Sequence, residues 1–143
     1  MTQVLAVMEK TTQPLPIPNP DTEPFWQGCG RSELLLQRCL SCRSYRHPPS
    51  PICDSCLSSE NEWVTASGQG TVYSFVIVRE PLRGWQFEVP YVVAIIELAE
   101  GPHMLSNVVG IPGEKVKIGM PVSVFFERVN DEITLPKFKP MEG

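Results

Sequence analysis

Cys39-Leu40-Ser41-Cys42 and Cys53-Asp54-Ser55-Cys56 are the two stretches whose reading decides the fold. Each C-x-x-C turn sets two thiolates on one knuckle, close enough to grip a single ion. Two such knuckles close a tetrahedral all-sulfur site, which suits zinc above other metals. Residues 43–52 between them are enough for a hairpin that carries the second knuckle over the first. Four protein ligands leave no water to activate, so the ion reads as a structural clip whose binding energy becomes folding energy. Separate redox disulfides are the competing use, and two neighbouring pairs gain more by sharing a metal. Spacing alone does not separate four-sulfur zinc from four-sulfur iron in a rubredoxin-like site.

Working outward, residues 34–38 read as a strand feeding the first knuckle, and Arg46-His47-Pro48-Pro49 bridges toward the second. With the coordination already complete, His47 reads as a surface or hydrogen-bonding residue. Upstream, Asp21 or Thr22 offers a helix cap with Pro24 in the first turn, and Gly28 or Gly30 ends a short helix near Cys29. Phe25 and Trp26 on that helix need cover, from the ribbon or from a partner protein. Pro14, Pro16, Pro18 and Pro20 make residues 1–20 an extended, flexible arm. Cys29 is left over as a bystander thiol. An odd thiol beside metal-type cysteines fits a reducing cytoplasm better than a secreted disulfide scaffold. The apolar runs at 4–8 and 91–99 are too short to span a membrane.

From residue 62 the pattern turns to β. Runs rich in Val, Ile, Phe and Tyr at 63–66, 70–79, 90–98, 104–109 and 121–129 are separated by glycine and proline turns. Five short antiparallel strands with glycines at the bends fit a small closed barrel, the OB-fold first among them. Residues 73–78 and 91–96 are apolar at consecutive positions, which predicts burial on both faces. The organisation is thus a mostly β chain: an arm over 1–20, a helix and rubredoxin-like zinc ribbon over 21–60, and a five-stranded OB-fold over 61–143.

The chain of 143 residues carries a net charge of −4, which argues against a protein built to hold phosphate backbones. Its barrel half carries seven basic against ten acidic residues. An OB-fold that binds single-stranded nucleic acid, with Tyr73 and Phe75 as stacking platforms, is the alternative function, and that charge speaks against it. No hydrolase elbow, His-x-x-x-His or phosphate-cradling glycine loop occurs. The residues offer no self-contained active site.

Pro24-Phe25-Trp26, Glu33-Leu34-Leu35-Leu36-Gln37-Arg38-Cys39, His47-Pro48-Pro49, Gly68-Gln69-Gly70-Thr71-Val72-Tyr73-Ser74, Pro90-Tyr91, Gly119-Met120-Pro121-Val122 and Leu135-Pro136-Lys137-Phe138 follow in order. Together with the four cysteines they resemble the zinc-ribbon/OB-fold family, a domain of unknown function associated with acyl-CoA enzymes. The resemblance covers about residues 20–140. It implies a non-catalytic accessory subunit in a hetero-oligomer, holding one structural zinc and no organic cofactor. The implied partner is a thiolase-fold enzyme, such as a lipid-transfer-protein-type thiolase or aldolase, or an enoyl-CoA hydratase, in steroid side-chain or fatty-acyl breakdown. Acyl-CoA at the shared interface would meet Arg31, Arg38, Arg43 and Arg46, while Phe25, Trp26, Trp85 and Phe87 would touch CoA or the partner. Solvated surface is the plainer reading of each arginine. One departure stands out: where ribbon knuckles commonly continue with glycine, this chain has Arg43-Ser44 and Leu57-Ser58, at positions that favour φ > 0.

Overall fold

The structure, a computed structural model, describes residues 15–81 and 88–141. Among the described residues, one helix, α1 (Glu23–Gly30), precedes eight strands: β1 (Leu35–Cys39), β2 (Tyr45–Arg46), β3 (Asn61–Thr65), β4 (Gln69–Val78), β5 (Tyr91–Leu98), β6 (His103–Val108), β7 (Pro121–Arg128) and β8 (Thr134–Pro140). A single 3-10 turn, Gly113–Lys115, sits between β6 and β7. No helix among the described residues is long and apolar enough to cross a membrane.

Pro24 stands in the first turn of α1, where its missing N–H costs nothing. Thr22 occupies the cap position without a side-chain cap bond. Asn19 closes the entry instead: its Oδ1 accepts from the backbone N–H groups of Asp21 and Thr22 at 2.9 and 3.0 Å. The arm thus turns into the helix through an Asx-type turn. Residues 1–14 of that arm lie outside the described residues.

Two sheets follow. The first has the order β2-β1-β3, and the second is a closed barrel of order β4-β5-β6-β8-β7. The barrel has five strands as the sequence predicts, but not the expected five. The run at 63–66 belongs to the ribbon: β3 pairs with β1 along its length, Leu35 opposite Thr65 and Cys39 opposite Asn61. The fifth barrel strand is β8, antiparallel to β7 and meeting β6 at the single parallel pair Val108–Phe138. Gly68, at φ 79°, is where the chain leaves one sheet for the other.

Burial on both faces of β4 and β5 also gives way to a two-sided pattern. Along β5, Val92, Ala94, Ile96 and Leu98 point inward and are buried, while Val93 and Ile95 face out and are half-buried. On β4, Tyr73 and Val76 are exposed. One apolar core joins the units: Phe25, Cys29, Leu34 and Leu36 of the helix and ribbon share a cluster with Val72, Ile96, Val122 and Phe138 of the barrel.

Candidate metal centre and adjoining surfaces

Both knuckles fold by the same local rules. In the first, the Arg43 N–H donates to Cys39 O and the Cys39 N–H to Ser44 O, each at 2.9 Å. In the second, the Leu57 N–H donates to Cys53 O and the Cys53 N–H to Ser58 O, again at 2.9 Å. The turn closes with Arg43 and Leu57 at φ 69° and 66°, the left-handed backbone expected where glycine is absent. Strand β1 delivers Cys39, and β3 holds the returning chain through the Leu40 N–H bond to Glu60 O at 3.0 Å.

The four sulfurs lie within 4.8 Å of one another. Cys39 and Cys56 Sγ are 3.5 Å apart, and Cys42 and Cys53 Sγ 3.6 Å. Four sulfurs at ~2.3 Å from a zinc ion form a tetrahedron with edges of about 3.8 Å, so the cluster fits one ion. Cys39 and Cys53 are buried, Cys42 and Cys56 exposed. Backbone N–H groups aim at the buried pair, from Cys42 to Cys39 Sγ at 3.5 Å and from Ser55 to Cys53 Sγ at 3.4 Å. Such donors, from Cys42 and Ser41, hold the Cys39 thiol below its usual range. Those from Cys56 and Ser55, with the Ser44 hydroxyl, bring Cys53 down to about 6. These shifts prepare the two buried cysteines as thiolates, whereas Cys56, despite the Ser58 backbone hydrogen bond that lowers it, is pushed up to about 12 by the neighbouring Cys39 sulfur and by burial. Ser44, noted in the sequence only as a departure from glycine, has its Oγ 3.0 Å from Cys42 Sγ and 3.6 Å from Cys53 Sγ, touching both knuckles. The available signal was its offset: serine stands two residues past the second cysteine of each knuckle.

Cys29 is sealed in the core and its thiol is pushed up to about 12 by burial. It is an inert packing group.

The four arginines do not converge. Arg31 bonds Glu33 at 3.0 Å. Arg38 donates to Glu62 from two nitrogens, at 2.9 and 2.6 Å, and lies over the Tyr45 ring. Arg46 is 7 % exposed and donates twice to Ser50 O, while Gln37 accepts the Ser50 N–H at 2.8 Å. That network pins the bridge between the knuckles. Arg43 is exposed and has no ion pair among the described residues. Trp85 and Phe87 lie outside the described residues.

Phe25 is buried and meets half-buried Trp26 edge-on, with ring centroids 5.0 Å apart. On its other side stands His47, 5.1 Å away and held down to about 4 by burial, so its ring is neutral at pH 7. Phe25, Trp26 and the His47-Pro48-Pro49 segment line a groove of about 320 Å³ together with Leu105 and Pro136.

On the outside of the barrel, Tyr73 stacks on His103 at 4.4 Å, and His103 Nε2 meets Glu97 Oε2 at 3.3 Å. Phe75 packs against the core, so Tyr73 and Phe75 do not form the paired stacking platform that nucleic-acid binding would need. Strands β4, β5 and β6 contain no lysine or arginine.

Two family models match the chain: the ChsH2 rubredoxin-like zinc ribbon domain over residues 26–62 and the ChsH2 C-terminal OB-fold domain over 63–127. A probable enoyl-CoA hydratase alpha subunit of Thermomonospora curvata is 40 % identical over 131 residues, covering 92 % of this chain. The chain spans only 41 % of that relative. A DUF35 domain-containing scaffold protein of Methanocaldococcus jannaschii is 37 % identical over 117 residues, 77 % of this chain and 83 % of the relative. Among solved structures, a chain of the Ltp2-ChsH2(DUF35) aldolase superposes with a TM-score of 0.81 at 40 % identity, over 88 % of this chain and 98 % of that one. The two knuckles, the one-ion cluster and the attached five-stranded barrel are those of a rubredoxin-like zinc ribbon joined to an OB-fold, and the chain belongs to the DUF35 family.

Proposed function

We propose that this chain is a non-catalytic accessory subunit of a cytoplasmic acyl-CoA enzyme. Its partner is a thiolase-fold protein of the lipid-transfer-protein type, or an enoyl-CoA hydratase subunit. Cys39, Cys42, Cys53 and Cys56 hold one zinc ion that clips the ribbon and takes no part in chemistry. The observation that carries this reading is the likeness, over 88 % of this chain and 98 % of that one, to a chain of the Ltp2-ChsH2(DUF35) aldolase. The side chains support it. Cys29 is a protonated core thiol, His47 a neutral ring against Phe25, and His103 is paired with Glu97 on the opposite side of the barrel wall from the core. Of the four ribbon arginines, Arg31, Arg38 and Arg46 are engaged within the chain, which leaves Arg43 open to a CoA phosphate.

The test is reconstitution. The purified chain is mixed with the Ltp2 subunit of that aldolase and followed by light scattering and by carbon–carbon cleavage of an acyl-CoA substrate. A stable mixed complex, with activity that the chain alone lacks, is the expected result. Turnover of acyl-CoA by the isolated chain would overturn the non-catalytic reading.

A further inference from the structure

The groove beside α1 lies on a seam of the barrel. Strands β6 and β8 pair at Val108 and Phe138 alone. Before that pair no ladder joins them, and a side-chain bond takes its place, from Ser106 Oγ to Pro136 O at 2.8 Å. Both edges of the seam, residues 105–107 and 135–137, line the groove, as do Phe25, Trp26, Pro48 and Pro49. An open wall beside rings and aliphatic side chains makes a concave, largely apolar site. Its volume of about 320 Å³ stands at the small end of ligand pockets, ~300–1,000 Å³.

Most polar side chains of the lining already have partners within the chain. The Lys137 ammonium is paired with Glu127. Thr22 Oγ1 accepts the Asn19 N–H at 3.0 Å, and Asn107 Nδ2 donates to Val92 O at 2.8 Å. His47 differs. Among the described residues its ring nitrogens have no hydrogen-bond partner, and the ring touches Phe25. Burial, with no hydrogen bond contributing, is what keeps it neutral. A neutral imidazole carries one N–H donor, and a donor taken out of water without a partner is costly.

We propose that the groove binds a compact, neutral, largely apolar molecule bearing a carbonyl oxygen, which accepts the His47 N–H while the rest lies against Trp26, Pro48 and Leu105. The site stands independently of the partner proposed above, since it uses only this chain's own groups. Charge selects the class. With Lys137 compensated by Glu127, nothing in the lining offsets the desolvation of a phosphate or carboxylate. Size bounds it, because the volume holds one or two fused rings and no folded segment. The carbonyl follows from His47. It accepts a hydrogen bond and asks for none in return, and a site with a buried donor rejects the analogue that leaves that donor unpaired.

The probe is prodan, a neutral fluorescent ketone on two fused rings, matched with its propyl analogue, in which a methylene replaces the carbonyl. A trace of each dye is titrated with the zinc-loaded chain and followed by fluorescence anisotropy. Zinc content and melting temperature are checked for every variant. The parent is expected to bind prodan with a dissociation constant of about 100 µM or tighter, as a ligand of this size allows, and the analogue about fivefold more weakly. His47→Phe keeps a ring beside Phe25 and removes the donor. It should weaken prodan about fivefold and leave the analogue within about twofold, so that the discrimination disappears. Leu105 is 71 % exposed, so Leu105→Asp spares the core, and its carboxylate should weaken both dyes about fivefold. No prodan binding by the parent, or binding unchanged in Leu105→Asp, overturns the site. Equal affinity of the parent for the two dyes, or discrimination that survives in His47→Phe, overturns the carbonyl contact. Should His47→Phe fail to fold, the parent's preference between the dyes and the Leu105→Asp titration still decide the matter.

Discussion

Arg43 and Leu57 occupy the same place in two copies of one turn, each following the second cysteine of its knuckle, and both adopt left-handed backbone, at φ 69° and 66°. The turn needs this geometry to bring the next N–H back onto the first cysteine's carbonyl, from Arg43 to Cys39 O and from Leu57 to Cys53 O. A side chain with a Cβ pays for it, at about 1–2 kcal/mol per residue.

Glycine at either position should therefore stabilise the protein. Part of the relief is offset by the greater freedom glycine gives the unfolded chain. Arg43→Gly and Leu57→Gly are each expected to raise the melting temperature by a few degrees, with zinc stoichiometry unchanged. A fall in melting temperature for both would show that their side chains contribute contacts beyond the turn.

Removing a ligand acts in the opposite direction. Cys39→Ser is expected to lose zinc and unfold the ribbon, whereas Cys29→Ser should retain one ion per chain and lose only packing. Metal analysis by mass spectrometry separates them. Full zinc in Cys39→Ser would sink the ligand assignment.

His47 ties stability to pH. Burial holds its folded value at about 4, below the ~6.5 of an unfolded histidine. As pH falls, the unfolded chain takes up this proton first. The stabilisation is complete above ~6.5 and is lost progressively toward 4. His47→Gln should narrow the drop in melting temperature between about pH 7 and about pH 5. Zinc loss in acid is common to both proteins and cancels in the comparison. Parallel pH profiles would place the ring in water.

Gly70 is a steric requirement. A Cβ there would sit 2.6 Å from Glu97 O and 2.9 Å from Ile96 Cγ2, where β4 crosses close to β5. Gly70→Ala is expected to cost about 1–3 kcal/mol, read as a lower denaturant midpoint with zinc retained. Gly30→Ala, with open space around it, should be close to neutral.

The metal centre was legible because ligand chemistry is written in residue type and spacing, and α1 because Pro24 and the glycines bracket it. The barrel was legible in number of strands but not in membership. Strand β8 hid behind Pro136, Pro140 and two lysines; it is paired along β7 but meets β6 at one position, and a sparsely bonded side tolerates proline. Strand β3 looked like barrel because a glycine turn follows it, and a turn signal does not say which sheet the next strand joins. The pairing of Arg31 with Glu33 and of Arg38 with Glu62 was not legible, because Glu62 reaches Arg38 only once β3 folds back along β1.

Phe25, Leu34 and Leu36 lie in the same core as Phe138 and Val122, and this gives the metal a reach beyond its own four ligands. A clip on an independent finger would protect only that finger. Here the ribbon's core residues are also barrel core residues, so the free energy of holding an ion spreads through the whole chain by linkage. Supply of the ion then governs how much intact protein exists, and with it how much of the complex proposed above could be put together at a given moment.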